Sequence, residues 1–335
     1  MIKVVFFQRK RHSFGNFSLE FIFEDVRERL KDKIKAVKKE SSFASTGFFP
    51  RLFNILESPF FQGNINHITG DIHYVAFLLK KNKTILTILD CGFLNIPESF
   101  KKKVLKFFWL TLPVSRVKYI TTISEASKKD ILKYSNCQPD KITVIPVAVS
   151  NIYQPSPSIF NKAKPQLLQI GTAPNKNIPR LIEAIKDIPC HLVIIGKIDD
   201  ALINQLEKYS ISYENKYNLP LEALHEEYKN CDILTFVSTF EGFGMPIIEA
   251  NCVERAVITG NVTSMPEIAG NAACVVDSFD VNAIRAGILK IIQDDSFRNC
   301  LIENGKINKN RYTASAIADM YFELYQKTYI QGGSK

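Results

Sequence analysis

Short apolar runs separated by amphipathic stretches recur along this 335-residue chain, and that alternation restricts its fold more than any other feature. IKVVFF, INHI, TILTIL, YITTI and ITVIPV read as strands in the first half. QLLQIG, HLVIIG, DILTFV, AVIT and ACVV do so in the second. Between most of them lie helical patterns, as where Ile178, Leu181, Ile182 and Ile185 share one helix face. Strands that alternate with helices imply parallel sheets covered on both faces. Two such series predict an α/β protein of two doubly wound domains. A proline-rich stretch without periodicity, Asn151–Pro165, suits the linker. The expected division is 1–155 and 156–312, followed by a helical stretch, 313–335, that could join either domain and is expected to pack back on the first.

Ligands of doubly wound sheets bind beyond the carboxyl ends of the strands, and with two such domains the cleft between them is the expected site. Two loops of the second half answer that description. In QIGTAPNKNIPRLIEAI a strand ends at Gly171, and Lys176 precedes an amphipathic helix whose N-terminus would favour phosphate. A plain strand, loop and helix with a surface lysine is the alternative. In STFEGFGMPIIEANC, Glu241 and Glu249 are separated by seven residues that include a Gly-Phe-Gly turn and Pro246. Gly242 and Gly244 let backbone approach a ligand closely. A carboxylate accepts two hydroxyl hydrogen bonds at once, which suits the diol of a ribose or sugar. The plainer alternative is one glutamate complementing a helix dipole and one solvated glutamate.

The charge of +9 is uneven: residues 1–150 hold 25 Lys and Arg against 13 Asp and Glu, a balance of +12, and the remainder is −3. An anionic membrane surface or a phosphorylated acceptor fits that asymmetry, as does a solvated face. Nucleic acid is not expected, because no zinc finger, basic zipper or RNP-type motif accompanies the charge. Lys101, Lys102 and Lys103 are the candidates for anionic lipid. The neighbouring Phe107, Phe108 and Trp109 read first as a core helix with a basic outer face, and second as a membrane contact. Seven scattered cysteines, an odd number without a C-x-x-C pair, indicate neither a disulfide framework nor a zinc site. His67 and His73, six apart, read as packing or acceptor-contact residues and not as metal ligands, and His191 and His225 read as structural. Without a signal peptide or an 18-residue apolar run, a cytoplasmic protein is expected, peripheral at the inner face of the cell membrane if it docks there.

EGFGMPIIEAN resembles the signature of the retaining glycosyltransferases of family 4, also called glycosyltransferase group 1. IGTAPNKNIPRLIEAI is similar to that family's diphosphate loop, and TTISEASKKDILKY, DKITVIPVAV and ITGNVTSMPEIAGNAACVVD agree in order. The resemblance implies the GT-B fold of two Rossmann-like domains and no cofactor or metal. It implies transfer of a hexose from a UDP- or GDP-sugar to a saccharide or lipid-linked acceptor, in bacterial surface polysaccharide or glycolipid assembly. On the donor side, Glu249 would hold the ribose, and Glu241 would sit by the sugar with the backbone of Gly242, Phe243 and Gly244. Lys176 would meet the departing diphosphate beside Gly171 and Thr172. Acceptor-side candidates are Arg9, Arg11, Gly15 and Asp90. The chain departs from the family pattern at Thr172, where many members carry arginine. It departs again in the loop after the first strand, where Gly15 replaces a glycine pair, and at Leu89, where many carry histidine. A nucleotide-sugar epimerase and a non-catalytic nucleotide-sugar-binding protein are the competing readings.

Overall fold

The computed structural model describes residues 1–10, 18–94 and 96–333. They form two compact units: Met1–Ala148 with Ala314–Lys335, and Val149–Thr313. The break therefore falls at Ala148–Val149 instead of 155–156, and the last helix, Ala314–Gly333, belongs to the first unit.

Six parallel strands build the first sheet: β1 (Ile2–Gln8), β2 (Ile34–Glu40), β3 (Ile65–Ile68), β4 (Thr84–Thr87), β5 (Tyr119–Thr122) and β6 (Ile142–Val144). Their order is β2-β1-β3-β4-β5-β6. β1 shows why the fold needs cover on both faces. Val4 and Phe6 pack with Phe23 and with Tyr321 and Tyr325 of the last helix, whereas Val5 and Phe7 pack with Ile68, Ile72 and Tyr74 on the other side.

The second sheet comprises β7 (Gln166–Ile170), β8 (His191–Ile195), β9 (Tyr213–Lys216), β10 (Ile233–Phe236), β11 (Ala256–Gly260) and β12 (Cys274–Val276). Their order, β12-β11-β10-β7-β8-β9, reverses direction between β7 and β10. This is the strand order of a dinucleotide-binding fold, in which loops leaving the two central strands splay apart and open a ligand crevice.

β2 and β9 have no counterpart in the apolar runs. Both are edge strands with one free side, so IKAVKKE and YENK are lysine- and glutamate-bearing and only partly buried. Polar residues at an edge also discourage pairing with another chain.

The last helix is fixed by a buried polar chain as well as by its apolar face. His67 on β3 is fully buried, with Nδ1 2.8 Å from the Tyr325 hydroxyl and Nε2 2.8 Å from the Thr87 hydroxyl, which in turn lies 2.7 Å from that of Thr121. Burial, helped by the nearby Arg27 charge, lowers the imidazole pKa to about 3, so the ring is neutral and serves packing. Among the described residues, His73, His191 and His225 are also engaged locally: His73 with the Trp109 carbonyl, His191 with Ser212, and His225 edge-on to Tyr153. Tyr325→Phe should leave a buried imidazole nitrogen without its partner. Its expected cost is about 1–3 kcal/mol in urea unfolding of the full chain, and an unchanged midpoint would mean that the hydroxyl adds nothing to helix docking.

Candidate functional site

At the reversal between β7 and β10, two loops are stitched together by the side chains that sequence analysis singles out and by their neighbours. The β7 loop runs from Gly171 through a 3₁₀ turn, Pro174–Lys176, into the helix Ile178–Ile185. Gly171 has φ +83°, and a Cβ there would sit 2.9 Å from Cε of Lys176, so a bare Cα lets the lysine stem lie flat across it. Thr172 rests against Gly196, whose added Cβ would come within 2.9 Å of the threonine methyl. The position where many relatives carry arginine is thus filled by a short side chain packed into a glycine.

The β10 loop reaches across. Thr239 N–H donates to the Asn175 carbonyl (2.8 Å), and the Asn175 amide donates to the Phe240 carbonyl (2.9 Å). Buried Asn177, in the left-handed conformation at φ 60°, donates to the carbonyls of Val237 and Ser278. Lys176 and Glu241 close the seam. Lys176 Nζ lies 2.7 Å from Glu241 Oε1 and 4.6 Å from the centroid of Phe236, with the two charged side chains 17% and 14% exposed. That degree of burial makes the pair more than a surface contact, because screening by water is reduced.

The Gly-Phe-Gly turn is braced from beneath. The Ser264 hydroxyl lies 2.9 and 2.7 Å from the carbonyls of Glu241 and Phe243, and Thr263 accepts from the Glu241 N–H (3.1 Å). Phe243 is buried, edge-on to Tyr312. Gly244 adopts φ 112° and starts the helix Met245–Cys252, with Pro246 in its first turn. Glu249 therefore falls one turn inside the helix, not in its first turn, and it does not serve the helix dipole.

Glu249 points at two tyrosines instead. Tyr228 donates its hydroxyl to Glu249 Oε2, and the buried Tyr153 hydroxyl faces the same carboxylate without a hydrogen bond of good geometry. Burial pushes the Glu249 carboxyl up to about 7, against the opposing pull of both tyrosines and the Lys176 charge. Both tyrosine hydroxyls are in turn raised above their ordinary value, by burial first and by Glu249 second. Tyr153 comes from the stretch expected to be linker. It packs edge-on against Tyr228, and an aromatic in a stretch without periodicity carried no signal of that role.

The acceptor-side candidates do not converge in the same way. Arg9, just beyond β1, is paired with Asp71 at 2.6 Å, so its charge is already matched. Asp90 accepts from the Gly92 N–H (2.7 Å) and closes a turn, while the partly buried Leu89 side chain packs against the core of the first unit. Gly15 and Arg11 lie outside the described residues.

Residues 154–308, which include all of the seam, match the family of glycosyl transferases group 1. The O-antigen chain mannosyltransferase B of Escherichia coli is 31% identical over 70% of this chain and 68% of its own length. The chain belongs to the group 1 glycosyl transferases. This transferase is also similar to the O-antigen chain mannosyltransferase RfbU of Salmonella typhimurium, at 30% identity over 66% of the chain and 64% of the relative. Among solved structures, HepE of Anabaena in complex with UDP shares the fold, with a TM-score of 0.79, 14% identity and coverage of 97% and 100%. A glycosyltransferase from Rickettsia africae matches with a TM-score of 0.75 over 98% of both chains, at 17% identity. The α/β architecture is thus GT-B. Among the described residues no helix is long and apolar enough to cross a membrane.

The raised Glu249 value makes a signed prediction. Holding this carboxylate ionised costs the folded state, so its stability relative to Glu249→Gln should fall as pH rises from 4.5 through about 7. Urea midpoints of the two proteins across that window measure the difference. A flat difference would show that the carboxylate is as well hydrated as in an unfolded chain.

Proposed function

We propose that this glycosyltransferase moves a hexose from a nucleotide diphosphate sugar to a saccharide or lipid-linked acceptor, with retention at the anomeric carbon, in surface polysaccharide or glycolipid assembly. The observation that carries the reading is the seam itself: one lysine and two glutamates at the strand reversal where such sheets take nucleotides. The relatives' names, O-antigen mannosyltransferases, support a hexosyl group and make mannose the first to test. The HepE complex with UDP and glucose supports a nucleotide-sugar donor, and the choice between UDP and GDP is left to experiment.

In this reading the nucleotide lies along the β7–β10 loops. Glu249 accepts the ribose hydroxyls in place of the donor that Tyr228 now supplies. The diphosphate competes with Glu241 for Lys176, and Glu241, once released, turns to the donor sugar. The backbone of Gly171 and Thr172 lies beside the phosphates, and that of Gly242, Phe243 and Gly244 beside the sugar. The acceptor hydroxyl attacks the anomeric carbon as its bond to the diphosphate breaks, and the proton passes to the leaving phosphate oxygen. Rate comes from positioning and from charge placed where the leaving group becomes negative. Lys176 supplies that charge, so the reading calls for no metal ion or cofactor. Arg9, Asp90, Arg11 and Gly15 remain the proposed acceptor contacts in the basic N-terminal unit, where Arg9 would have to exchange Asp71 for an acceptor phosphate. A lipid-linked acceptor would bring the protein to an anionic membrane face.

Incubation with a panel of UDP- and GDP-hexoses should give transfer or slow hydrolysis, with the product retaining the donor's anomeric configuration by NMR. Binding without turnover, or an inverted product, would contradict the reading. Lys176→Ala should weaken binding of the productive nucleoside diphosphate about 10- to 100-fold, since a hydrogen bond to a charged group is worth roughly 1.5–3 kcal/mol. Glu241→Ala should lose turnover yet bind the free nucleoside diphosphate at least as well as wild type, because it frees Lys176. Equal losses of affinity in both variants, read by calorimetry, would show that the two residues do not have separate roles.

A further inference from the structure

The helix Phe48–Glu57 is built inside out. Its one fully buried position is polar: Asn54 is 1% exposed, donating to the Phe43 carbonyl and the Tyr74 hydroxyl and accepting from the Phe43 N–H, and Ile55 beside it packs inward only in part. Ser58, which caps its end, is equally buried. Its outward positions are apolar, with Phe48, Phe49, Leu52, Phe53 and Leu56 all exposed. Phe60 follows at 86% exposure. An ordinary surface helix places these residue types the other way round. A contiguous apolar patch on a single unit marks a place where something other than water is meant to sit.

A second apolar edge adjoins it. Arg51 of this helix stacks over Trp109 at 4.7 Å, which sets the helix beside the π-helical stretch Phe107–Thr111. Trp109 packs against Tyr74, but Phe107 and Phe108 are half exposed, so this segment is not the core helix the sequence suggested. The preceding helix, Phe100–Lys106, adds exposed Phe100, Lys101 and Lys103. Lys102 does not join them: it is turned onto Glu98 and the Ile96 carbonyl. The lysine cluster read from sequence is therefore two outward charges.

We infer that the Phe48–Phe61 segment and the adjoining Phe107–Phe108 edge form an insertion surface for an anionic lipid bilayer. The phenylalanines enter the boundary between headgroups and acyl chains, and Lys101 and Lys103 lie at headgroup level. Charge decides between lipid and a second copy of the chain. A twofold dimer through this patch would bring the same lysines of a strongly basic half towards each other, whereas anionic headgroups neutralise them. Interfacial helices with aromatic and leucine side chains on one face and basic residues beside them lie in the membrane plane in this manner. The inference deepens the lipid-linked reading of the acceptor, yet its test needs neither donor nor acceptor.

The full chain is sedimented with vesicles of phosphatidylglycerol and phosphatidylethanolamine, and with phosphatidylcholine alone, at low salt and at about 1 M salt, where the Debye length is about 3 Å. Wild type should pellet with the anionic vesicles. Phe49→Ser with Phe53→Ser and Phe60→Ser should weaken that binding at least tenfold at both salts, as expected for apolar burial. Lys101→Gln with Lys103→Gln should weaken it about fivefold per lysine at low salt and hardly at all at high salt. Thermal midpoints of both variants should match wild type, because none of these side chains is buried. Wild type left in the supernatant at low salt would overturn the inference. So would a triple variant that pellets like wild type, or a wild-type dimer in sedimentation velocity that the triple variant converts to monomer. Hydrolysis of the productive nucleotide sugar, measured without vesicles, should persist in both variants and reports separately on the donor site.

Discussion

The seam between the β7 and β10 loops is the constraint on which the candidate site depends. Strand order alone would splay these loops apart. Three consecutive residues draw them together again: Asn175 and Asn177 through backbone carbonyls of Phe240 and Val237, and Lys176 through Glu241. Each contact works because a neighbour gives way. Gly171 has no side chain to obstruct the lysine stem, and Asn177 accepts the left-handed conformation that aims its amide inward. The result is a lysine held in place before any substrate arrives, so little ordering remains to be done on binding.

The same arrangement gives the two glutamates different environments. Glu241 faces a cation and is held by backbone contacts through Thr263 and Ser264. Glu249 faces two phenols among buried neighbours, and burial raises its pKa to about 7. One carboxylate is therefore paired with a lysine, while the other, with its pKa raised to about 7, sits near the balance point between its two protonation states at neutral pH. A ligand that offers hydroxyl donors to Glu249 stabilises its ionised form and should bind with release of a proton.

Much of this was legible because buried parallel strands must be apolar and loops at their carboxyl ends must be short. Gly171, Lys176, Glu241, Gly242, Phe243 and Gly244 all fall on the two loops expected for them, and Glu249 lies one turn inside the helix that follows instead of at its start. What escaped notice was whatever does not announce itself by apolarity or spacing. Edge strands β2 and β9 are polar because one side is free. Tyr153 acts at long range from a stretch that looks like linker, and Thr263 and Ser264 act on backbone from a third loop. The helix Phe48–Glu57 reads as ordinary amphipathic sequence, since periodicity tells that a helix has two faces but not which one meets the protein. In the N-terminal unit, Arg9 had a partner in Asp71, 62 residues away, that no local pattern could reveal.

The central claim is that the β7–β10 seam is where the donor's diphosphate is taken, at the expense of the Lys176–Glu241 pair. A crystal structure of the full chain with the nucleoside diphosphate that binds it tests this most directly. The account predicts Lys176 Nζ within hydrogen-bond distance of a phosphate oxygen, Glu241 turned away from it, and the ribose hydroxyls on Glu249. A nucleotide bound elsewhere, or one bound while Lys176 stays on Glu241, would contradict it.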